Sequence, residues 1–96
     1  MFRVYTEDTG PEALATVLRT LARFGIDGAT VYHGVGVWRG AVERSLVIET
    51  DGANPTRAPN TIDARAAVYS FAQDVKNALR QTAVGVVETA DTFLTL

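Results

Sequence analysis

Residues 28–50 read GATVYHGVGVWRGAVERSLVIET and decide the fold of this 96-residue chain. The stretch holds two runs rich in valine, isoleucine and aromatic residues, the types favoured in β-strands, on either side of Arg39-Gly40. Two such runs around a short break that contains glycine are typical of a β-hairpin. The same stretch contains the only tryptophan and the only histidine of the chain, so we expect unusual chemistry here first.

The turn of this hairpin sets its register. If Arg39 and Gly40 are the two turn residues, Trp38 lies opposite Ala41, and alternation assigns each residue to one of two faces. The face predicted to pack under helices carries Val31, His33, Val35, Val37, Val42, Arg44, Leu46 and Ile48. The face predicted to stay free carries Thr30, Tyr32, Gly34, Gly36, Trp38, Ala41, Glu43, Ser45, Val47 and Glu49.

The free face contains the candidate site. Two successive outward positions are glycine, which predicts a hollow floored by backbone, and strand glycines often mark the close approach of a ligand or of another chain. The candidate ligand or interface residues are Tyr32, Gly34, Gly36, Trp38, Gly40, Glu43 and Ser45. Both interpretations stay open, because the glycines can equally let an aromatic ring or a second subunit pack closely. His33 is predicted to be a hydrogen-bonded structural histidine on the core face.

The segments before the hairpin predict a strand and a helix. Residues 2–6 alternate as a short strand, and Thr9 and Glu12 have the spacing of a capping box at a helix start. Gly25 is the predicted stop of this helix. Its predicted apolar stripe is Leu14, Val17, Leu18, Leu21 and Phe24.

The segments after the hairpin repeat this order. Residues 51–61 are predicted to form a long loop over the site, followed by a helix over about residues 62–81. The apolar stripe of that helix is Val68, Phe71, Ala72, Val75 and Leu79. A strand buried on both faces is expected over residues 83–88, and residues 92–96 can add a short edge strand. The predicted fold is α+β, a single ferredoxin-like β-α-β-β-α-β domain over residues 1–96 with two helices on one face of an antiparallel sheet.

Composition excludes several functions. The chain is 47% apolar and 21% charged, as in ordinary globular proteins, and its net charge of −2 argues against general nucleic-acid binding. The absence of cysteine excludes disulfides and thiolate zinc sites, and the glycines lack dinucleotide-binding and phosphate-loop spacing, so no metal and no cofactor are predicted. Without a signal-peptide pattern or a long apolar run, a cytoplasmic protein with no membrane contact is expected.

Two resemblances add to these expectations. The pattern GxGxWxGxxExS from Gly34 to Ser45, together with residues 81–84, resembles small, functionally unassigned proteins of phages and bacteria. Residues 24–34, FGIDGATVYHG, are similar to the first helix end and second strand of PII-like signalling proteins. The PII-like resemblance implies a trimer that binds nucleotides or other small anions in clefts between subunits. The long mobile loop of that family has no counterpart in the tight turn expected after Trp38.

These observations leave three classes of function. The first is a non-enzymatic homo-oligomeric module, phage-encoded, that binds or sequesters a small anion or nucleotide near Trp38 and Glu43. The second is a protein-interaction module that uses the free sheet face. The third is a small enzyme with Glu43 as acid or base, with Tyr32 or Ser45 nearby.

Overall fold

The computed structural model describes residues 1–52 and 63–90. The elements are, in order, β1 (Phe2–Glu7), α1 (Pro11–Arg23), β2 (Thr30–Trp38), β3 (Ala41–Thr50), α2 (Ala64–Ala78) and β4 (Gly85–Glu88). The strands form one antiparallel sheet in the order β2-β3-β1-β4. The fold is therefore α+β and consistent with the ferredoxin-like class. The predicted strand over residues 92–96, and the predicted loop beyond Gly52, lie outside the described residues.

The hydrophobic core lies between the two helices and one face of the sheet, which we call the helix-side face. Phe2 and Val4 of β1 and Leu46 and Ile48 of β3 share this face by register. Both helices bury side chains against these strands. The residues are Val17 and Leu21 of α1 and Val68, Phe71, Ala72 and Val75 of α2. The predicted stripe of α2 is thus confirmed, with Leu79 partly buried at its end.

The buried face of α1 differs from the predicted stripe. Val17 and Leu21 are buried as predicted, but Leu14 and Leu18 are 36% and 54% exposed. Ala13, Thr16 and Thr20 are buried in their place. These small side chains allow the helix to approach the core closely, and the Thr20 hydroxyl donates to the Thr16 carbonyl at 2.7 Å, so its burial leaves no unpaired hydroxyl.

The ends of the helices confirm one predicted signal and correct another. No side chain caps the start of α1, so the predicted capping box of Thr9 and Glu12 is wrong. The Gly10 N–H instead donates to Asp8 Oδ1 at 3.1 Å, which forms a turn before the helix. At the other end Gly25 has a φ of 69° and ends α1 as predicted.

The hairpin register is as predicted. Trp38 pairs with Ala41, and the pairing continues without interruption to Thr30 and Glu49. Arg39 and Gly40 have φ values of 51° and 78°, the conformation of a type I′ turn.

The hairpin is longer than the layer that covers it. β3 pairs with β1 only from Ser45 onward, so residues 35–44 project as a two-stranded ribbon, which we call the hairpin arm. Val35, Val37 and Val42 lie on the helix-side face of this arm but are 79%, 71% and 73% exposed, which corrects the prediction that they pack under helices. A 13-residue helix is about 20 Å long, whereas a ten-residue strand spans about 33 Å.

The last strand is shorter and more exposed than predicted. β4 contains four residues, and Val87 is 43% exposed on the face away from the helices. The prediction of a strand from residue 83 with both faces buried is therefore wrong, because residues 1–52 and 63–90 provide no second layer on that face. None of the helices in these ranges is long and apolar enough to cross a membrane.

Candidate functional site

A cleft of about 340 Å³ opens on the sheet face away from the helices, which we call the open face. It lies at the place where β1 ends, β4 begins and the hairpin arm continues beyond both. The end of β1 lies between the arm and the segment that leads into β4. The cleft is lined by Tyr5, Thr6, Glu7, Trp38, Glu43, Ser45, Gln81, Thr82, Ala83, Val84 and Gly85.

Three of the residues predicted from the sequence line this cleft: Trp38, Glu43 and Ser45. Their alternation in the confirmed register places all three on the open face. Trp38 is half exposed, and the guanidinium carbon of Arg39 lies 5.4 Å from its ring centroid, within cation–π distance. The arm therefore offers an aromatic surface at one end of the cleft.

The other predicted residues lie outside the cleft. Tyr32, Gly34 and Gly36 share the open face, and Gly40 is in the turn. The predicted hollow over the glycines is filled at one of its two positions: a Cβ built on Gly36 would lie 2.8 Å from Ser45 Oγ, whereas one on Gly34 would make an ordinary contact of 3.7 Å with Val47 Cγ2. Side chains of β3 thus lean over the glycine positions of β2.

Tyr32 belongs to a second polar group on the open face. Arg3 Nε donates to Glu49 Oε2 at 3.0 Å, and Glu49 is diagonal to Tyr32 across the strands. Desolvation, and next the adjacent Glu49 carboxylate, raise the pKa of the Tyr32 phenol above its ordinary value. The hydrogen bond to Glu49 raises the pKa of Arg3. These contacts make Tyr32 part of a surface ion-pair group rather than of the cleft.

His33 is hydrogen-bonded as predicted but is not in the core. Its Nδ1 lies 3.0 Å from Asp8 Oδ2, and the imidazole side chain is 71% exposed. The position is on the helix-side face, opposite Leu46 and next to the start of the exposed hairpin arm. The prediction of a core histidine is wrong for the same reason as that of the buried arm valines.

The cleft also contains residues that the sequence did not single out as site residues. Tyr5 and Glu7 reach it because β1 pairs with β3 through Tyr5–Val47 and Glu7–Ser45. The Glu7 N–H donates to Gln81 Oε1 at 2.9 Å, which holds the segment before β4 against the end of β1. The alternation of β1 indicates that Tyr5 and Glu7 share one face of the strand. In the sequence, residues 81–84 stand out only as part of the first resemblance. Their convergence depends on the strand order.

The polar lining of the cleft is acidic. Glu7 and Glu43 supply two carboxylates, and no lysine or arginine is among the lining residues. Ser45 and Thr82 add hydroxyls, whereas the Thr6 hydroxyl is buried on the helix-side face and has no hydrogen-bond partner within the described ranges. Carboxylates accept hydrogen bonds and attract positive charge, so the lining suits a ligand that carries donors or a cation beside a ring.

Metal binding has no support in this geometry. Among residues 1–52 and 63–90, no group of three or more histidine, aspartate or glutamate side chains is placed to hold a metal ion.

Comparisons with known proteins add no assignment. No protein-family model matches the chain, and no curated protein matches it in sequence.

Proposed function

We propose that this chain is a non-enzymatic, oligomeric module of ferredoxin-like fold that binds a small ring-bearing ligand in the cleft beside Trp38. The observation that carries the proposal is the convergence of the exposed Trp38, two carboxylates and the hydroxyl residues Ser45 and Thr82 in one cleft of about 340 Å³. A cleft of that size is at the lower end of the range that small-molecule sites occupy. The trimer and the phage origin implied by the resemblances stay predictions.

The topology supports the ferredoxin-like part of the proposal. β1 and β2 are parallel with β3 between them, and β3 and β4 are parallel with β1 between them. Each pair is joined through one helix. Each βαβ unit therefore has one strand of the other unit between its own two strands. This split βαβ arrangement defines the fold class.

The charge of the cleft favours one ligand chemistry. A free small anion, one of the ligands expected from the sequence, fits poorly because Glu7 and Glu43 would repel it at close range. A heterocycle with amino groups, such as a nucleobase, can stack on Trp38 and donate hydrogen bonds to the carboxylates. The phosphates of a nucleotide would then point out of the cleft, toward solvent and Arg39.

The unique tryptophan provides a direct test. Because Trp38 is the only tryptophan, fluorescence excited at the long-wavelength edge, where tyrosine does not absorb, reports the surroundings of Trp38 alone. We expect adenosine or benzylammonium to change this emission in a saturable way, and inorganic phosphate to leave it unchanged. Glu43→Gln should weaken binding about tenfold, the effect of losing one charge-assisted hydrogen bond.

A matched control separates the site from general electrostatics. Glu12→Gln changes the net charge equally, but Glu12 lies in the first turn of α1, away from the cleft residues. Binding by Glu12→Gln should match that of the unmodified protein. The proposal fails if none of the probes gives a saturable change, or if both substitutions weaken binding equally.

One observation favours a protein-interaction module as the second candidate. Around the buried Val47, the open face exposes about 40% of Tyr5, Tyr32 and Val87. These three side chains form a largely aromatic patch that does not include the strand glycines. Tyrosine-rich patches are common at protein interfaces. Tyr32→Ala would then abolish partner binding and leave the fluorescence titration of the cleft unchanged. The enzyme alternative requires turnover that Glu43→Gln abolishes without loss of folding.

A further inference from the structure

The hairpin arm exposes an apolar surface that no helix or strand within residues 1–52 and 63–90 covers. Val35, Val37 and Val42 are each more than 70% exposed on its helix-side face. A two-stranded ribbon is only marginally stable by itself in water. Exposed valines on such a ribbon are costly unless another surface covers them.

The outer edge of β2 lacks the features that normally prevent strand pairing. β2 lies at the edge of the sheet and is nine residues long. It contains no lysine, arginine, aspartate, glutamate or proline, and its pairing with β3 has no bulge. Proteins usually protect a free edge by charges, prolines or bulges, so this edge is suited to pairing with another strand.

An apolar groove runs beside the same edge. It has a volume of about 290 Å³ and lies on the helix-side face between the end of α1 and the start of β2. Leu18, which is 54% exposed, is one wall, and Ile26 and Val31 contribute to the others. The groove and the arm valines thus lie on the same face of the sheet, at opposite ends of β2.

We propose that two copies of this chain form a two-fold dimer by antiparallel pairing of their β2 strands about Gly34. This register pairs all nine residues and brings Val37 beside the partner's Val31, at the mouth of the partner's groove. His33 then lies beside the partner's Val35. Each arm covers the groove of the other copy, so Val35, Val37 and the exposed Leu18 are buried by one contact that is made twice.

The hydrogen-bonding directions of β2 agree with this pairing. In a hairpin with a two-residue turn, the residues flanking the turn, here Trp38 and Ala41, form a hydrogen-bonded pair, and the pattern alternates from there. The N–H and C=O groups of Val31, His33, Val35 and Val37 therefore point to the free edge. Pairing about Gly34 places these residues opposite one another and allows about eight backbone hydrogen bonds.

Charge also favours the contact. In this register Arg39 at the tip of the arm lies opposite the partner's Ala29, within reach of the partner's Asp27, which lines the groove. The uncharged β2 strands bring no like charges together. A head-to-tail arrangement, such as a trimer joined through β2 and β4, could pair only the four residues of β4 within the described chain. The two-fold dimer uses more than twice that length of edge.

A disulfide trap tests the register. The chain has no cysteine, so a single introduced thiol gives an unambiguous link. Gly34→Cys places two thiols on a non-hydrogen-bonded pair with Cα atoms roughly 4.5 Å apart, within disulfide range. A side chain is tolerated there, since its Cβ meets only Val47 at 3.7 Å. Thr30→Cys is the control, because the two Thr30 residues of the dimer would lie about 26 Å apart.

Under mild oxidation we expect Gly34→Cys to give the linked dimer at least about tenfold faster than Thr30→Cys, measured on a non-reducing gel. Equal rates would overturn the proposed register. In solution, light scattering over a concentration series should give twice the 10.3 kDa monomer mass. A monomer at all concentrations, or a trimer, would overturn the dimer.

Two lysine substitutions test the contact between the arm and the groove. Val37→Lys places a charge at the partner's groove and should raise the dimer dissociation constant at least about 100-fold. Val42→Lys is its matched control: Val42 is the cross-strand neighbour of Val37 and equally exposed, but it lies one strand away from the dimer edge. It should leave the dimer intact. If both variants stay dimeric, or both become monomeric while circular dichroism shows a folded chain, the arm does not act as proposed.

This inference concerns only the assembly part of the proposed function, and its failure is distinguishable from failure of the ligand site. Folded, monomeric Val37→Lys should still give the Trp38 fluorescence response to adenosine. Conversely, a dimer that binds no probe would leave the pairing of β2 valid and overturn the ligand site.

Discussion

At the scale of single residues, two buried threonines of the sheet differ in how their hydroxyls are paired. The side chains of Thr6 on β1 and Thr50 on β3 both lie on the helix-side face of the sheet, and each residue is 4% exposed. The Thr50 hydroxyl donates to the Gly28 carbonyl at 2.7 Å and accepts from the Gly52 N–H at 3.0 Å. Thr6 Oγ1 has no such partner in the described chain, although Thr6 is among the residues that line the cleft. One hydroxyl is thus paired twice, and the other is buried on the helix-side face without a partner in the described chain.

Replacing these hydroxyls by methyl groups should have opposite effects on stability. Thr6→Val removes an unpaired buried hydroxyl and should raise the free energy of unfolding by about 1 kcal/mol, whereas Thr50→Val breaks two hydrogen bonds and should lower it by about 1–3 kcal/mol. Urea unfolding followed by circular dichroism measures both. A loss of stability in Thr6→Val comparable to that in Thr50→Val would show that the Thr6 hydroxyl is already satisfied.

At the scale of elements, the two helices end in the same motif with different residues. After α1, the Ile26 N–H donates to the Leu21 carbonyl, with Gly25 at positive φ. After α2, the Gln81 N–H donates to the Lys76 carbonyl, and Arg80 takes the corresponding position with a φ of 54°. Both are Schellman motifs. Arginine in this conformation is strained, whereas glycine is not.

Arg80→Gly should therefore stabilise the protein. The backbone strain that is relieved should be larger than the entropic cost of ordering a glycine. The free energy of unfolding should therefore rise by about 0.5 kcal/mol. The reverse type of change, Gly25→Ala, should cost about 1 kcal/mol at the matching position of α1. Thermal or urea unfolding of the two variants checks the difference in sign. A destabilised Arg80→Gly would indicate that contacts of the arginine side chain outweigh its backbone strain.

At the scale of the whole molecule, stability depends on one core that covers only part of the sheet. Phe71, the largest fully buried side chain among the described residues, belongs to the cluster that joins both helices to the sheet. Leu18 was predicted to belong to the same core from its spacing in α1, but it is half exposed beside the groove. Substitution of Phe71 therefore tests the stability of the folded subunit, and substitution of Leu18 tests the stability of the proposed dimer.

Phe71→Ala should lower the free energy of unfolding by about 3–5 kcal/mol through lost burial and a residual cavity. A loss of that size is a large fraction of the stability of a small domain. Leu18→Ala should change the stability of the isolated subunit by less than about 1 kcal/mol. Denaturant unfolding at low protein concentration, where a dimer would dissociate, makes the comparison. A large loss in Leu18→Ala under these conditions would place Leu18 in the core after all.

The candidate site was predictable in part. The register of the hairpin followed from Arg39-Gly40, so the common face of Trp38, Glu43 and Ser45 was correct. Their separation from Tyr32 and Gly34 was not predictable, because alternation assigns a face but not a position along the sheet. The contributions of Glu7 and Gln81 depend on β1 lying next to β3 and on the Glu7–Gln81 hydrogen bond between residues 74 positions apart.

Local pattern was sufficient for the elements, the faces of the hairpin and the α+β class, since hydrophobic period, turn residues and helix stops act over a few neighbouring residues. Burial of the hairpin was decided by tertiary structure. Val35 and Leu46 belong to the same predicted face, yet one is exposed and the other buried, because the layer formed by the helices does not extend over the hairpin arm. The position of the cleft was decided in the same way: it opens where β1 ends and the longer hairpin continues. Coverage depends on the relative lengths and placement of packed elements, which the alternation within one strand does not encode.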